Sequence, residues 1–166
     1  MKKLRALAIL SILISILISS CERDDICPEA TVTTPKLVIE FFDINAPENP
    51  KNVRDLVLRE LEKDTAILFN STSTISIPLK TNAIETTYSF NLNALADSGG
   101  VTDTLTFSYA TEDLYVNRAC GFKSNFIDFR ARLETEELAN GNWIQDIILQ
   151  NNTIENEAET HLYIYY

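Results

Sequence analysis

Beyond Pro35, apolar side chains recur at every second residue along much of the chain. Leu37, Ile39 and Phe41 fall on one side of an extended backbone, and Val38 and Phe42 on the other. Ile75, Ile77 and Leu79 alternate with Ser76 and Pro78, and Tyr88, Phe90 and Leu92 with Ser89 and Asn91. Leu105, Phe107 and Tyr109 alternate with Thr104, Thr106 and Ser108; Leu114 and Val116 follow, and Leu162, Ile164 and Tyr166 end the series. Successive side chains of a strand point to opposite faces, so this period directs one set into a core. Thr, Val, Ile, Tyr and Phe also suit a pleated, half-buried surface. Turn chemistry separates the runs: Asn45-Ala46-Pro47, Asn70-Ser71-Thr72, Asp97-Ser98-Gly99-Gly100 and Asn140-Gly141-Asn142. Strands recurring about every 8–15 residues, with no sustained helical pattern between them, predict an all-β fold: an antiparallel, immunoglobulin-like β-sandwich over residues 35–166.

Three places test that reading. Residues 52–61 carry apolar side chains at 53, 56, 57 and 61, a helical spacing with Asn52 as its cap, yet Leu56 and Leu58 also fit a strand. The neighbouring strands favour strand. Pro78 marks its strand as an edge or the start of a bulge. Trp143 is expected at the core or rim of a strand over Ile144–Leu149.

The N-terminus has a different character. Lys2, Lys3 and Arg5 precede an apolar stretch from Ala6 to Ile18, broken by Ser11 and Ser15, and Ser19-Ser20-Cys21 closes it. A transmembrane helix needs about 20 apolar residues, more than this stretch offers. The order resembles a bacterial lipoprotein signal, in which cleavage precedes a cysteine whose sulfur takes a diacylglycerol. On that resemblance residues 1–20 are a cleaved signal peptide, Cys21 is the lipidation site and 21–34 form a tether. Glu22-Arg23-Asp24-Asp25 resembles the surface-export signal of Bacteroidetes lipoproteins; the plainer reading is a solvated tether. The expected location is the outer membrane, lipid-anchored, facing the periplasm or the cell surface.

Cleavage after residue 20 leaves 11 Lys and Arg against 24 Asp and Glu, a net charge of −13. Such a surface repels phosphate backbones and disfavours nucleic acid. It leaves membrane contact to the lipid. A lipidated Cys21 also leaves Cys27 and Cys120 as a pair. Export to an oxidising compartment makes a disulfide the default, with two free thiols or a metal pair as the rivals. The bridge would close a loop of 93 residues, for which the chain-entropy model gives roughly 4–5 kcal/mol as an upper figure.

Several segments together look like a family of Bacteroidetes lipoproteins known only as a domain of unknown function. They are Cys21-Glu22-Arg23-Asp24-Asp25-Ile26-Cys27, Glu40-Phe41-Phe42-Asp43, Ile77-Pro78-Leu79-Lys80-Thr81, Tyr115-Val116-Asn117-Arg118-Ala119-Cys120-Gly121, Asn142-Trp143-Ile144 and Asn156-Glu157-Ala158-Glu159-Thr160-His161. The resemblance implies a lipidated cysteine, a β-rich domain and the two later cysteines. It implies no activity. It suggests, without showing it, an outer-membrane β-barrel protein as partner.

Chemistry-bearing residues are few. His161 is the single histidine, and any Ser–His–Asp or Cys–His arrangement would have to use it. Its place in the last alternating run points to a structural role, and the disulfide reading makes Cys120 inert. Glu134, Glu136, Glu137, Glu155, Glu157 and Glu159 offer carboxylate pairs, but solvated faces explain them more simply. Asp97 and Asp103 flank a glycine turn without calcium-loop spacing. No catalytic residue, metal or cofactor is therefore expected. Tyr115, Tyr163 and Tyr165 lie opposite the core-facing sets and form a possible ligand face, although tyrosine is also a common strand former. Asp64-Thr65-Ala66 and Asp103-Thr104-Leu105 resemble O-glycosylation sequences. The expectation is a lipid-anchored, non-enzymatic binding or accessory module; the alternatives are a glycan-binding surface lipoprotein and a cell-envelope hydrolase.

Overall fold

The structure is a computed structural model that describes residues 26–134 and 141–166. Cys21, the residues before it, Glu22–Asp25, Glu136, Glu137 and Asn140 lie outside the described residues. Two compact units are present. Of the described residues, one comprises Val32–Leu114 and the residues from Lys123 onward; the other comprises residues 26–31 together with Tyr115–Phe122.

The described residues form ten strands and no helix. They are β1 (Leu37–Asp43), β2 (Ala46–Pro50), β3 (Leu56–Glu60), β4 (Ala66–Phe69), β5 (Thr74–Ile77), β6 (Glu85–Leu92), β7 (Val101–Asn117), β8 (Gly121–Glu134), β9 (Asp146–Leu149) and β10 (Leu162–Tyr165). One five-stranded sheet has the order β2-β1-β10-β9, with β5 also paired to β1; the other has the order β4-β3-β6-β7-β8. Every registered pair is antiparallel except β1 with β10, where Ile39 faces Leu162 and Phe42 faces Tyr165. The chain is thus all-β, with two antiparallel-rich sheets.

Both sheets feed one hydrophobic cluster. Leu37, Ile39, Phe41, Ile75, Ile77, Leu162 and Ile164 come from the first sheet, and Leu56, Leu58, Tyr88, Phe90, Leu105, Phe107, Tyr109, Phe126 and Phe129 from the second. Two layers on a shared core are the sandwich arrangement that period-two patterning favours. Phe107 sits at its aromatic centre. Its ring centroid lies 5.8 Å from Phe129, 6.4 Å from Phe90 and 6.5 Å from Tyr88. Trp143 borders the core, donating from Nε1 to the Phe90 carbonyl at 3.0 Å and packing edge-on to Tyr166.

Residues 56–60 are a strand, as their neighbours imply: Leu56 and Leu58 are buried and Arg59 is exposed. Two details differ from the sequence reading, and at Pro78 the expected edge strand is refined. The strand after Trp143 begins at Asp146, because the Ile144 amide is held instead by the Asp103 carboxylate at 2.7 Å. Pro78 falls just past the end of the edge strand β5, where its missing N–H costs no ladder bond. And β8 is a strand that alternation does not reveal. Phe126 and Phe129 have opposite parity yet both are buried, because Asp128 between them adopts a positive φ of 53° and resets the pleat. The outer edge of β8 is covered by an irregular segment: Phe126 and Ile154 exchange backbone hydrogen bonds at 3.1 and 2.7 Å, and Phe129 N–H reaches the Asn152 carbonyl.

The β6–β7 turn requires glycine at position 100. Its φ is +76°, and a Cβ there would lie 2.3 Å from Asn91 Oδ1 and 2.4 Å from the Leu92 carbonyl oxygen.

The smaller unit is held by the disulfide between Cys27 and Cys120, with a Cα–Cα distance of 4.8 Å. Of the pairings open to these thiols, the structure adopts the bridge. The Cys120 amide also donates to Asn117 Oδ1 at 2.8 Å, which tightens the hairpin turn around the bridge.

Truncating the aromatic centre should be costly. Phe107→Ala is expected to lower the free energy of unfolding by about 3–5 kcal/mol. Leu95→Ala, at a side chain 68% exposed, should stay within about 0.5 kcal/mol. Urea unfolding of both variants decides; similar costs would contradict a core centred on Phe107.

Candidate functional site

The inward face of β3 reads Leu56, Leu58, Glu60, and all three are buried. A carboxylate at a core-facing position must be compensated. Lys80 Nζ lies 3.1 Å from Glu60 Oε1, and Lys63 Nζ lies 2.9 Å from Oε2. Lys80 also reaches Glu62 Oε2 at 2.5 Å. Two tyrosines set Lys80 in place: the Tyr88 hydroxyl donates to the Pro78 carbonyl and the Tyr109 hydroxyl to the Lys80 carbonyl, each at 2.8 Å. The Lys80 amide donates to Thr86 Oγ1 at 3.0 Å. The segment that follows Pro78 is thereby latched over the end of β3.

The charged members of this network, Glu60, Glu62, Lys63 and Lys80, line a cleft of about 800 Å³, with Leu61, Asn82, Ala83, Ile84, Glu85 and Thr87 completing the wall. Burial alone pushes the Glu60 carboxyl up, but hydrogen bonds from Lys63 and Lys80 outweigh it and hold its pKa below the usual 4.5. Hydrogen bonds to Glu62 and then Glu60 hold the Lys80 ammonium above its usual value. Burial, with the Glu60 charge adding to it, pushes Tyr88 up to about 12; Tyr109 is raised by burial as well. Both members of the ion pair therefore stay charged at neutral pH. Efficient proton transfer calls for a group poised near the working pH, and neither is so poised. What the cleft offers is hydrogen bonding from fixed charges beside the exposed side chains of Leu61 and Ile84.

Sequence reasoning missed this site, although parity along β3 carried its signal. Glu60 follows Leu56 and Leu58 at the same period, and an ionisable side chain in a core register calls for a partner.

His161 is buried, only 1% exposed. Its Nδ1 accepts a hydrogen bond from the Val38 amide at 3.0 Å, and its own amide donates to the Val38 carbonyl at 3.0 Å. The ring bridges the entry of β10 to β1, and it is not among the residues lining the cleft. Burial holds its pKa below the usual 6.5, against the opposing influence of Glu159, the Asn156 backbone and Glu157.

The three sequence-selected tyrosines separate into two settings. Tyr163 and Tyr165, half-buried on β10, flank Phe42 at ring distances of 4.8 and 5.6 Å. Tyr115 belongs to the smaller unit and packs edge-on against Phe122 at 5.4 Å. The carboxylates also have local tasks. Glu134 accepts from Thr106 Oγ1 at 2.8 Å and pairs with Arg132. Glu157 accepts from the Lys36 amide at 3.1 Å. Asp103 is buried and accepts from Ile144, so Asp103-Thr104-Leu105 offers a modifying enzyme no open aspartate, whereas Asp64 and Thr65 are exposed. Among the described residues no three His, Cys, Asp or Glu side chains gather as a metal site, and no helix is long and apolar enough to cross a membrane.

The fold and its cleft define a two-sheet β protein with a buried, ion-paired carboxylate bordering a surface cleft. Residues 55–166 match the family of unknown function DUF6452, and the chain belongs to that family. The matched span runs from the start of β3 through β10 and includes Glu60, Lys80, Cys120 and His161; β1, β2, Cys21 and Cys27 precede it. No curated protein and no solved structure matches the chain.

The lowered pKa of His161 fixes the sign of a pH effect. The unfolded chain takes up a proton near pH 6.5 and the folded chain only at lower pH, so this contribution to stability is complete above pH 6.5 and is lost as pH falls toward the folded value. Urea unfolding between about pH 7.5 and 5.5 should show stability falling with a slope from this group of at most about 1.4 kcal/mol per pH unit. His161→Gln should flatten that slope while lowering stability throughout. An unchanged slope in the variant would show that the imidazole does not carry it.

Proposed function

We propose that this chain is a lipid-anchored, non-catalytic binding module of the bacterial outer membrane, carried on an immunoglobulin-like β-sandwich. The observation that carries the reading is the Cys27–Cys120 disulfide. It joins the tip of the β7–β8 hairpin to a point six residues beyond Cys21. With Cys21 lipidated, that tip stays within about 20 Å of the lipid, at about 3.5 Å per extended residue. Such closeness suits a protein whose partner is in the same membrane, and an outer-membrane β-barrel is the partner proposed. The immunoglobulin-like type draws support from the two five-stranded sheets and the parallel contact between the first and last strands. The non-catalytic part draws support from the structural tasks already filled by the chemistry-bearing side chains. His161 is bound to Val38, Cys120 is in the bridge, and Glu60 and Lys80 are held in their charged forms.

A second reading is favoured by one feature. Tyr163 and Tyr165 bracket Phe42 and form an aromatic strip along β10 and β1, the kind of surface on which sugar rings stack. A glycan array probed with the protein is expected to stay blank under the first reading. A signal lost in the Tyr163→Ala, Tyr165→Ala double variant would establish the second.

Expressed in a bacterium that processes lipoproteins, the chain should incorporate radiolabelled palmitate and enter the detergent phase on Triton X-114 partition. Cys21→Ala should lose both. Equal behaviour of the two chains would refute the anchor. In-cell crosslinking followed by purification should then recover one dominant membrane protein.

A further inference from the structure

We propose that the cleft beside Glu60 receives an extended, cationic peptide segment of a partner protein, which adds a strand to the β6 edge left open at Glu85. The inference rests on the binding-module reading and gives that module a site; it does not depend on the lipid anchor.

The first observation is an unpaired stretch of backbone. β3 pairs with β6 as far as Glu60 opposite Tyr88, and the Leu61 amide donates to the Thr87 carbonyl at 3.1 Å. There β3 turns away, its Lys63 amide donating back to the Glu60 carbonyl at 3.0 Å. β6 runs past this turn to Glu85. On its other side it meets β7, where the Tyr109 amide donates to the Ile84 carbonyl. Successive residues of a strand aim their peptide groups at opposite edges. Ile84 faces β7 and Thr87 faces β3, so the N–H and C=O of Glu85 face the cleft. Among the described residues no protein group takes them. Such an edge is a template for a further strand.

The second is shape. These groups open into the cleft of about 800 Å³, a size that holds a small ligand or a short peptide. Leu61 and Ile84, 62% and 78% exposed, stand on its wall. An added strand would pack side chains on them while its backbone meets Glu85. The tyrosines that hold Pro78 and Lys80 fix the wall before the guest arrives, which lowers the ordering cost of binding.

The third is charge. Glu60, Glu62 and Glu85 line the cleft against Lys63 and Lys80. Both ammonium groups are engaged, Lys80 by Glu60 and Glu62, and Lys63 by Glu60. Glu85 is exposed and has no ion pair among the described residues. The flanking Arg59 and Asp64 cancel, so one carboxylate stays in excess. A lysine or arginine on the guest answers it, whereas an acidic guest finds neither ammonium free.

The test is amide NMR of the isotope-labelled full chain in a non-ionic detergent, titrated with the blocked peptide Thr-Lys-Leu-Lys-Thr. The Glu85 amide should shift and gain protection from hydrogen exchange. Methylating every backbone nitrogen of the peptide should weaken binding roughly ten-fold, the loss of a backbone hydrogen bond and its fit. Glu85→Pro should weaken it as much, because that N–H does not serve the β7 ladder and proline removes only the donor offered to the guest. Glu85→Gln keeps the donor and should cost only about three-fold. No shift at Glu85 with about 10 mM peptide would overturn the site. So would equal binding of the methylated peptide or of Thr-Glu-Leu-Glu-Thr, neither of which requires Glu85→Pro to fold. Peptide binding by these rules with no membrane protein crosslinked in cells would uphold the site and overturn the membrane partner. A membrane protein crosslinked undiminished to Glu85→Pro would overturn the site and uphold the binding module.

Discussion

The parallel pairing of β1 with β10 is the contact on which the first sheet depends. It joins Ile39 to Leu162 and Phe42 to Tyr165, so the chain between them must close a loop of more than a hundred residues before the pair can form. Such long-range contacts are slow to form and are compensated only once the core is assembled. His161 explains how the entry to this pairing is secured. At the residue before β10, the backbone takes the Val38 carbonyl while the ring takes the Val38 amide. One residue thereby satisfies both polar groups of a buried partner, which would otherwise carry a desolvation penalty. The neutral imidazole is required for this, because a protonated ring has no lone pair to offer the amide.

The sequence made the core legible because period two survives where both faces of a strand have fixed neighbours. Leu105, Phe107 and Tyr109, or Leu162 and Ile164, announce themselves this way. It failed at β8 for a physical reason: the positive φ at Asp128 is a backbone event with no hydrophobic signature, and an aspartate tolerating that region looks like a surface residue. The pairing of β1 with β10 was equally hidden, since alternation gives a strand its faces but not its neighbours. The Cys27–Cys120 bridge was readable from cysteine arithmetic once one thiol was set aside for lipid. Asp103 shows the reverse difficulty. Beside a glycine turn it invited a calcium reading, but its inward register commits its carboxylate to the Ile144 amide.

Glu60 belongs to the same class of misread positions. Its register was visible and, apart from the neighbouring Lys63, its partners were not, because Lys80, Tyr88 and Tyr109 come from three further segments that only the fold assembles. The ion pair costs desolvation, so apolar packing would hold this end of the core at least as well. What an apolar substitute would not supply is a fixed set of charges bordering a cleft. The tyrosines that latch Pro78 and Lys80 keep those charges oriented, and both rings are buried behind them. The cleft is thus a polar surface built to be stiff.

The two exceptional regions of the molecule depart from the strand rule in opposite directions. At Glu60 a charge occupies a position that should be apolar. At Tyr115 and Phe122 rings occupy positions that should be polar, on a strand whose preceding residues have no buried face. A sandwich core explains neither. Errors of patterning persist in a sequence only where the surrounding structure compensates for them, and here each is compensated: the carboxylate by two ammonium groups, the hairpin tip by a disulfide that restricts its freedom. Compensation of this kind separates a retained feature from an accident. The hairpin tip is the more telling of the two, because a bridge can hold exposed rings in place but cannot remove them from water.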